Sequence, residues 1–439
     1  MTLPSDSRPL PVTLREAFWY WLKLGFISFG GPAGQIALMH SELVERRRWI
    51  SEQRFLHALN YCMLLPGPEA TQLAVYIGWL MHKTRGGILA GVLFVLPSLL
   101  ILIALSWIYM AFGSLPLVSA ILYGIKPAVV AIVLAAAWRI GRRSLNNPVL
   151  IAIAAAAFLA IAVAALPFPL IVLGAAAIGW VGGRAWPAYF QVGGKHPDSR
   201  ASYGLALIDD DTPPPPHAAF SWPRLVRVAL GGCALGAAAW AALALRYGAG
   251  GALAQMGWFF TKAALMTFGG AYAVLPYVYQ GGVEHYHWLS AAQMIDGLAL
   301  GETTPGPLIM IVAFVGFVGA WGQAPLLLAG AAGASVATFF TFLPSFVFIL
   351  AGGPLVESTR DNVRMTAPLT AISAAVVGVI VSLALFFGRH VFLGGAAPDW
   401  VAAVISALAC VSLFRYQVGT IKLIAACALA GLVISYWHG

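Results

Sequence analysis

Four short stretches of this 439-residue chain put glycine, proline and a few polar side chains inside otherwise apolar sequence. Two of them, Ser28-Phe29-Gly30-Gly31-Pro32 and Thr267-Phe268-Gly269-Gly270, carry the same glycine pair. The other two, Pro66-Gly67-Pro68-Glu69 and Glu302-Thr303-Thr304-Pro305-Gly306-Pro307, carry the same Pro-Gly-Pro. A helix that stops and restarts leaves backbone N–H groups unpaired, with a partial positive charge at the new start. Such an end is ready to hold an anion. Glycine lets backbone approach an ion closely, and proline at a helix start gives up no useful donor. The chemistry expected of these breaks is recognition of an anion by helix ends, with Gly30, Gly31, Pro66, Gly67, Pro68, Gly269, Gly270, Pro305, Gly306 and Pro307 shaping the backbone.

The side chains beside the breaks extend that reading. Lys23 and Lys262 stand at equivalent places ahead of the two glycine pairs. An ammonium in an apolar helix is costly unless paired or hydrated, so they are read as attracting the anion, against the alternative of snorkelling to the interface. Ser28, Thr267, Thr303 and Thr304 offer hydroxyls and Gln72 an amide, although threonines in apolar helices often bond only their own backbone. Glu302 shares its segment only with Asp296 and is the expected carrier of a coupling proton; the plainer role is pairing with Lys262 or a backbone amide. Asp296 reads as an interfacial charge. Glu69 follows Pro68 at a helix start, where the dipole alone favours a carboxylate, and is a second proton or gating candidate.

What must position these residues is a membrane. The chain is 60% hydrophobic and only 9% charged, against roughly 25% charged in soluble domains. Runs such as 86–110, 116–138 and 366–387 exceed the ~20 residues that cross a bilayer. The fold class expected is an all-α polytopic membrane protein with about 13 hydrophobic segments. The net charge of +9 sits in short clusters between apolar runs, which orients membrane proteins and excludes nucleic acid as a partner. The N-terminus lacks a signal-peptide pattern. Four cysteines fall in apolar segments without ligand spacing, so neither a metal site nor a cofactor is expected. His285 and His287 beside Glu284 lack a third ligand and read as an outer loop.

At an offset of 239 residues, Trp19–Pro68 aligns without gaps with Trp258–Pro307, matching Lys23, Phe29, Gly30, Gly31, Glu45, Trp49, Ser51 and Pro66-Gly67-Pro68 with their counterparts. Generic hydrophobicity does not align Gly, Pro, Trp and Lys. Two structural halves follow. The expected units are a tail (1–14), a first repeat (15–185), a cytoplasmic Pro-rich, solvated linker (186–223), a connecting transmembrane helix (224–246) and a second repeat (255–437). The connector at 40–54 carries four arginines; its counterpart at 279–293 carries no Lys or Arg. Positive residues favour the inside, so the second half is expected to be inverted. Reading 15–39 and 55–81 as re-entrant hairpins places Arg46–Arg48, Lys83/Arg85, Arg139–Arg143, Arg360/Arg364 and Arg415/Lys422 all inside. Arg46, Arg47 and Arg48 are then chiefly orientation signals that also gather anions, and Trp49 and Trp288 interfacial anchors.

The pattern "FGGP…H.E.VERR.W…LPGP…Q" with "FGG…LP…W…GETTPGP" resembles the chromate ion transporter family in its long, two-domain form. The resemblance covers about 15–185 and 255–437 and implies inverted halves in a bacterial inner membrane. It further implies export of chromate, a tetrahedral dianion like sulfate, driven by the proton gradient and conferring chromate resistance. Glu69 and Ala70 depart from it, since many members carry small hydroxyl residues after the Pro-Gly-Pro. The partners expected are the oxyanion, protons, lipid and a second copy of the chain in a homodimer. Rival readings are a passive oxyanion channel and a carrier of another anion such as sulfate. Nucleophile-elbow, zinc-binding and P-loop motifs are missing, so no enzyme is expected.

Overall fold

The computed structural model describes residues 8–190, 203–213, 215–268, 270–358, 366–395 and 397–438. Seventeen α-helices account for most of it, and the β-structure among the described residues is one isolated bridge. Seven helices are long and apolar enough to cross a membrane: Glu69–Phe112, Pro116–Ser144, Phe168–Ala185, Trp222–Tyr247, Leu327–Leu355, Ala367–Leu393 and Thr420–Trp437. The chain is a multi-pass, all-α membrane protein.

Each half begins with helices too short to span. Helix α1 (Leu14–Ile27) is capped by the Thr13 hydroxyl and stops at Ser28; α2 (Gly31–His40) starts behind Gly30. A π-helical turn, Ser41–Arg46, leads to α3 (Glu52–Leu64), capped by Ser51 and ended by the Pro-Gly-Pro turn. Helix α4 (Glu69–Phe112) is two helices meeting at His82–Lys83, where the backbone leaves helical geometry. At ~1.5 Å per residue, α1 and α3 reach only about 20 Å. Their ends return to one face. Arg47 after α2 bonds Glu16 at the start of α1, 3.5 Å away, and His82 bonds the Val12 carbonyl ahead of α1. Both segments fold back as helical hairpins.

The second half repeats this element for element. Helix α10 (Ala252–Leu265), α11 (Leu275–Tyr279), a π-helical turn at Gln280–His285 and α12 (Ala291–Thr303) fall at the same offset; Ser290 caps α12 as Ser51 caps α3. The left-handed residues Arg48 and His287, both at φ 52°, are equivalent positions. Helices α13 (Ile311–Trp321) and α14 (Leu327–Ser358) correspond to the two parts of α4. The first half continues through α5 (Pro116–Ser144), α6 (Pro148–Ala162) and α7 (Phe168–Ala185); the short α8 (Pro187–Phe190) and α9 (Trp222–Tyr247) lead to the second, which α15 (Thr366–Leu393), α16 (Trp400–Phe414) and α17 (Thr420–His438) close.

Packing sorts these helices into two bundles that cut across the repeat. Helices α1–α4, α9, α10, α13 and α14 pack together, and α5, α6, α7, α15, α16 and α17 form the other bundle. Helix α12 lies between them, touching α4 and α13 on one side and α5, α15 and α17 on the other.

Two expectations change. Trp49 and Trp288 are not anchors at a lipid interface: they are 3% and 8% exposed, each meeting an equivalent ring edge-on, Trp49 against Tyr20 and Trp288 against Phe259. Matched positions pack in matched cores, a signal that outweighs the aromatic-belt tendency. Nor is the described part of 186–223 freely solvated. Leu207 and Ile208 pair as a bridge with Arg48–Ile50, Ser51 donates to Asp210 at 2.6 Å, Arg54 to the Thr212 carbonyl, and Ala206, Ile208 and Ala218 are buried. This strap covers the arginine-bearing connector. His217 Nε2 reaches the Trp79 carbonyl at 3.0 Å.

Burial, helped by the Arg224 and Lys83 charges, lowers the His217 pKa below its ordinary 6.5, against the Trp79 and Leu80 carbonyls. A histidine so depressed favours the docked strap at pH above the unfolded value, and the contribution is lost as pH falls through the lower folded value. Exchange of the Ala218 amide, corrected for its intrinsic rate, is expected to quicken between pH 7.5 and 5 but not in His217→Gln; a flat wild-type profile refutes it.

Candidate functional site

The four breaks meet in two reciprocal pairs. The Gly67 N–H donates to the Thr267 carbonyl at 2.7 Å, and the Gly306 N–H donates to the Ser28 carbonyl at 2.8 Å. At the repeat offset these are the same bond made twice, each half supplying the donor once and the acceptor once. A two-fold relation between halves produces such an exchange. Gly67 and Gly306 hold φ at 123° and 98°, where L side chains are strained. They are also tight: a Cβ on Gly67 would stand 2.3 Å from Ser345 Oγ, and one on Gly306 would stand 2.8 Å from Ser98 Cβ. Ser98 and Ser345 belong to a second repeated motif, Leu-Pro-Ser at 96–98 and 343–345, whose recurrence in the sequence was available to find them.

Two glutamines brace the turns. Gln72 Nε2 donates to the Pro66 carbonyl at 2.8 Å; Gln35 Nε2, 1% exposed with its residue, donates to the Gly306 carbonyl at 2.5 Å. Gln72 thus holds the loop, and its amide is spent on protein rather than offered to an anion. The same holds for the hydroxyls. Ser28 and Thr267 donate to Leu24 and Ala263, and Thr303 and Thr304 to Leu300 and Gly301. Backbone carbonyls of their own helices take the hydrogens, the competition expected of such residues.

Beside the Ser28–Gly306 junction lies a cavity of about 350 Å³, bounded by Phe29, Gly30, Gly31, Glu302, Thr304, Gly306 and the start of α17, Gly419–Lys422. Two helix N-termini face it, those of α2 and α17, and Lys422 adds a full positive charge. The half-buried Glu302 accepts a hydrogen bond from the Tyr272 hydroxyl, and Arg139 of α5 acts on both. Its partners are therefore Tyr272 and Arg139, not Lys262. Glu69 has a matching arrangement: Arg143, one turn beyond Arg139 on α5, is the cation acting on it. At the repeat offset Glu302 corresponds to Met63 and Thr304 to Leu65, so these two polar positions have apolar counterparts at the other junction.

The structure brings Gly30, Gly31, Glu302, Thr304 and Gly306 together at the cavity, with Pro305 and Pro307 flanking. Pro66, Gly67 and Pro68 form the other junction, opposite Thr267. Gly270, at φ 101°, starts the turn that carries Tyr272; Gly269 lies outside the described residues, as do Arg360 and Arg364. Lys23 is exposed and Lys262 lies 5.7 Å over the Trp258 ring, and neither lines the cavity. Of the arginine triplet, Arg48 is buried at 5% exposure and Arg47 is held by Glu16, Glu42 and the Tyr20 and Trp49 rings. Arg46 alone of the three presents an exposed side chain, paired with Glu42. Asp296, rather than an exposed charge, is 3% exposed: its Oδ2 lies 3.5 Å from Lys126 Nζ and accepts from Tyr109 at 2.9 Å. Sequence reasoning missed Tyr272, Gln35 and Lys126, and filed Lys422 and Arg139 with loop charges.

A sequence model described as chromate transporter matches residues 15–180 and 254–432. The chromate transport protein of Cupriavidus metallidurans is 29% identical over 428 residues, covering 96% of this chain and 93% of its own length. The chromate transport protein of Pseudomonas aeruginosa is 33% identical over 86% of this chain and 81% of its own length. An uncharacterized transporter of Methanocaldococcus jannaschii is 26% identical over 87% of this chain and 86% of its own length. No solved structure matches.

Proposed function

The chain belongs to the chromate transporter family, and from that premise we propose that it is a secondary active transporter exporting chromate, with sulfate as a recognised analogue, coupled to the proton gradient and conferring chromate resistance. One observation carries the reading: Glu302 and Lys422 share a cavity with two helix N-termini at the junction of the two halves. Positive ends and an ammonium suit a dianion. The carboxylate opposes it. With Glu302 ionised, Arg139 is neutralised by it and a dianion meets a like charge; a proton on Glu302 frees Arg139 and removes the repulsion. Proton and anion occupancy are thereby linked; export follows when a proton that enters from outside leaves Glu302 to the cytoplasm and the re-ionised carboxylate expels the dianion outward.

The halves are read as inverted. Helix α9 rises about 39 Å over its 26 residues. Its first turn lies beside the arginine connector's face, where Arg224 covers the Trp79 ring, and its last turns lead to the start of α10. The Lys/Arg-free connector, with Trp288 against Met256 and Gly319, therefore stands at the opposite end. With the arginine connector and strap cytoplasmic, Lys422 sets the cavity toward the cytoplasmic side in this reading.

The test is uptake of labelled chromate and sulfate by proteoliposomes with and without an imposed pH gradient. Wild-type protein is expected to accumulate chromate when a gradient is present, with sulfate competing. Binding should tighten as pH falls, by up to ~10-fold per unit for one linked proton, and Glu302→Gln should bind with no pH dependence and accumulate nothing. Flux that follows the anion gradient alone would make the protein a passive channel.

A further inference from the structure

The cavity carboxylate has a counterpart that the proposed cycle leaves unused. Asp296 sits six residues before Glu302 on α12, about 9 Å along the helix, toward the end that Ser290 caps and so toward the Lys/Arg-free connector. Nearly all of it is enclosed. Oδ2 has Tyr109 and Lys126; Oδ1 is buried with no hydrogen-bond partner. The groups facing Asp296 come from both sides of the bundle boundary: Tyr109 from α4, Lys126 from α5, the latter with a side chain 31% exposed. These are the titratable groups that act on it.

We propose that Asp296 is a second proton-carrying residue of the transport cycle, taking the proton from the face opposite the cavity, with Lys126 as its counter-cation on the other bundle. The reasoning rests on the proton-coupled reading above. A buried carboxylate with one free oxygen has a place for exactly one added proton, and the addition is simple: Oδ1 gains H⁺ from water at that face, the carboxylate becomes a neutral acid, and the same H⁺ leaves toward Glu302 and the cavity. No electrons move. Protonation also dissolves the Asp296–Lys126 attraction between α12 and α5, where Arg139 of α5 also acts on Glu302. Breaking a buried pair by discharging one partner weakens the contact it holds. Proton arrival from one face thus loosens α12 from the second bundle, and proton arrival at Glu302 readies the cavity on the other face. Two carboxylates on one helix, each with its basic partner on α5, divide the two tasks.

A purely structural ion pair is the competing account, and the experiment separates them. Lys126→Met/Asp296→Asn removes both charges together, so no lone charge is left buried, and Asp296→Glu keeps the acid. The readouts are chromate–chromate counterflow at equal pH, which moves no net proton, and accumulation driven by a pH gradient. The double variant is expected to keep counterflow within about threefold of wild type and to lose gradient-driven accumulation. Asp296→Glu should regain it, and the pH dependence of chromate binding should stay as in wild type, unlike Glu302→Gln. Gradient-driven accumulation at wild-type level in the double variant overturns the assignment. So does loss of counterflow in a folded double variant, since the pair is then a structural tie. If wild-type protein itself ignores the pH gradient, the proton-coupled reading fails, and this inference fails with it.

Discussion

Gly67→Ala is expected to reduce chromate uptake by at least ~100-fold while leaving a folded protein in the membrane. Two costs combine. A non-glycine residue held in the left-handed region costs ~1–3 kcal/mol, and forcing an atom into a packed site costs another ~1–3 kcal/mol. At Gly67 the new Cβ meets Ser345 Oγ at 2.3 Å and Gln72 Nε2 at 2.8 Å. The loop must shift, and its N–H then leaves the Thr267 carbonyl, breaking one of the two reciprocal backbone bonds between the breaks. Gly270→Ala is the control: it has φ 101° but nothing within 4 Å of its Cβ, so only the conformational strain remains and a loss of about tenfold or less is expected. Adding Ser345→Gly to Gly67→Ala should recover part of the activity. Uptake by Gly67→Ala equal to wild type would show that the junction tolerates movement and does not fix the transport geometry.

Reversing the charge of Lys422 is the second large effect. Lys422→Glu should abolish saturable chromate binding, Lys422→Ala should raise Kd by ~10- to 100-fold, and Lys422→Arg should stay within a few-fold. The range is wide because the side chain is exposed and water screens it, whereas a dianion doubles the attraction of a single charge. High salt should narrow the difference between Lys422→Ala and wild type, since screened pairs weaken with ionic strength. Isothermal binding at two salt concentrations reads both. Unchanged affinity in Lys422→Ala would move the anion elsewhere, to helix ends alone or to Arg139.

The architecture was largely legible in the sequence because its special positions are backbone positions. Gly30, Gly67 and Gly306 mark φ values that few other residues adopt, so their recurrence survives where side chains have drifted. Glu302 stood out as a nearly lone carboxylate in an apolar segment, and the structure puts it on the cavity wall. The rest of the wall is assembled across long sequence separations. Lys422 and Arg139 each follow apolar runs where a loop cation belongs, and only the packing of α5 and α17 against α12 turns them toward Glu302. The hydroxyl donors misled for a local reason. Ser28, Thr267, Thr303 and Thr304 sit in the last turn of a helix or just past it, where a carbonyl three or four residues back captures the hydrogen. Asp296 looked interfacial because sequence distance from a loop does not tell which neighbours close over it.

The two reciprocal bonds between Pro-Gly-Pro turns and glycine breaks set a condition on assembly. Each half, alone, would leave a glycine donor and a helix-end carbonyl with nothing to satisfy them, at a cost of ~1–3 kcal/mol per group once buried. Neither half can therefore finish its own interior before the other arrives. Joining both in one polypeptide fixes their ratio at one to one and places the second half at high local concentration as soon as α9 has crossed. The linker between them is then a device for matched supply, keeping orphan halves out of the bilayer.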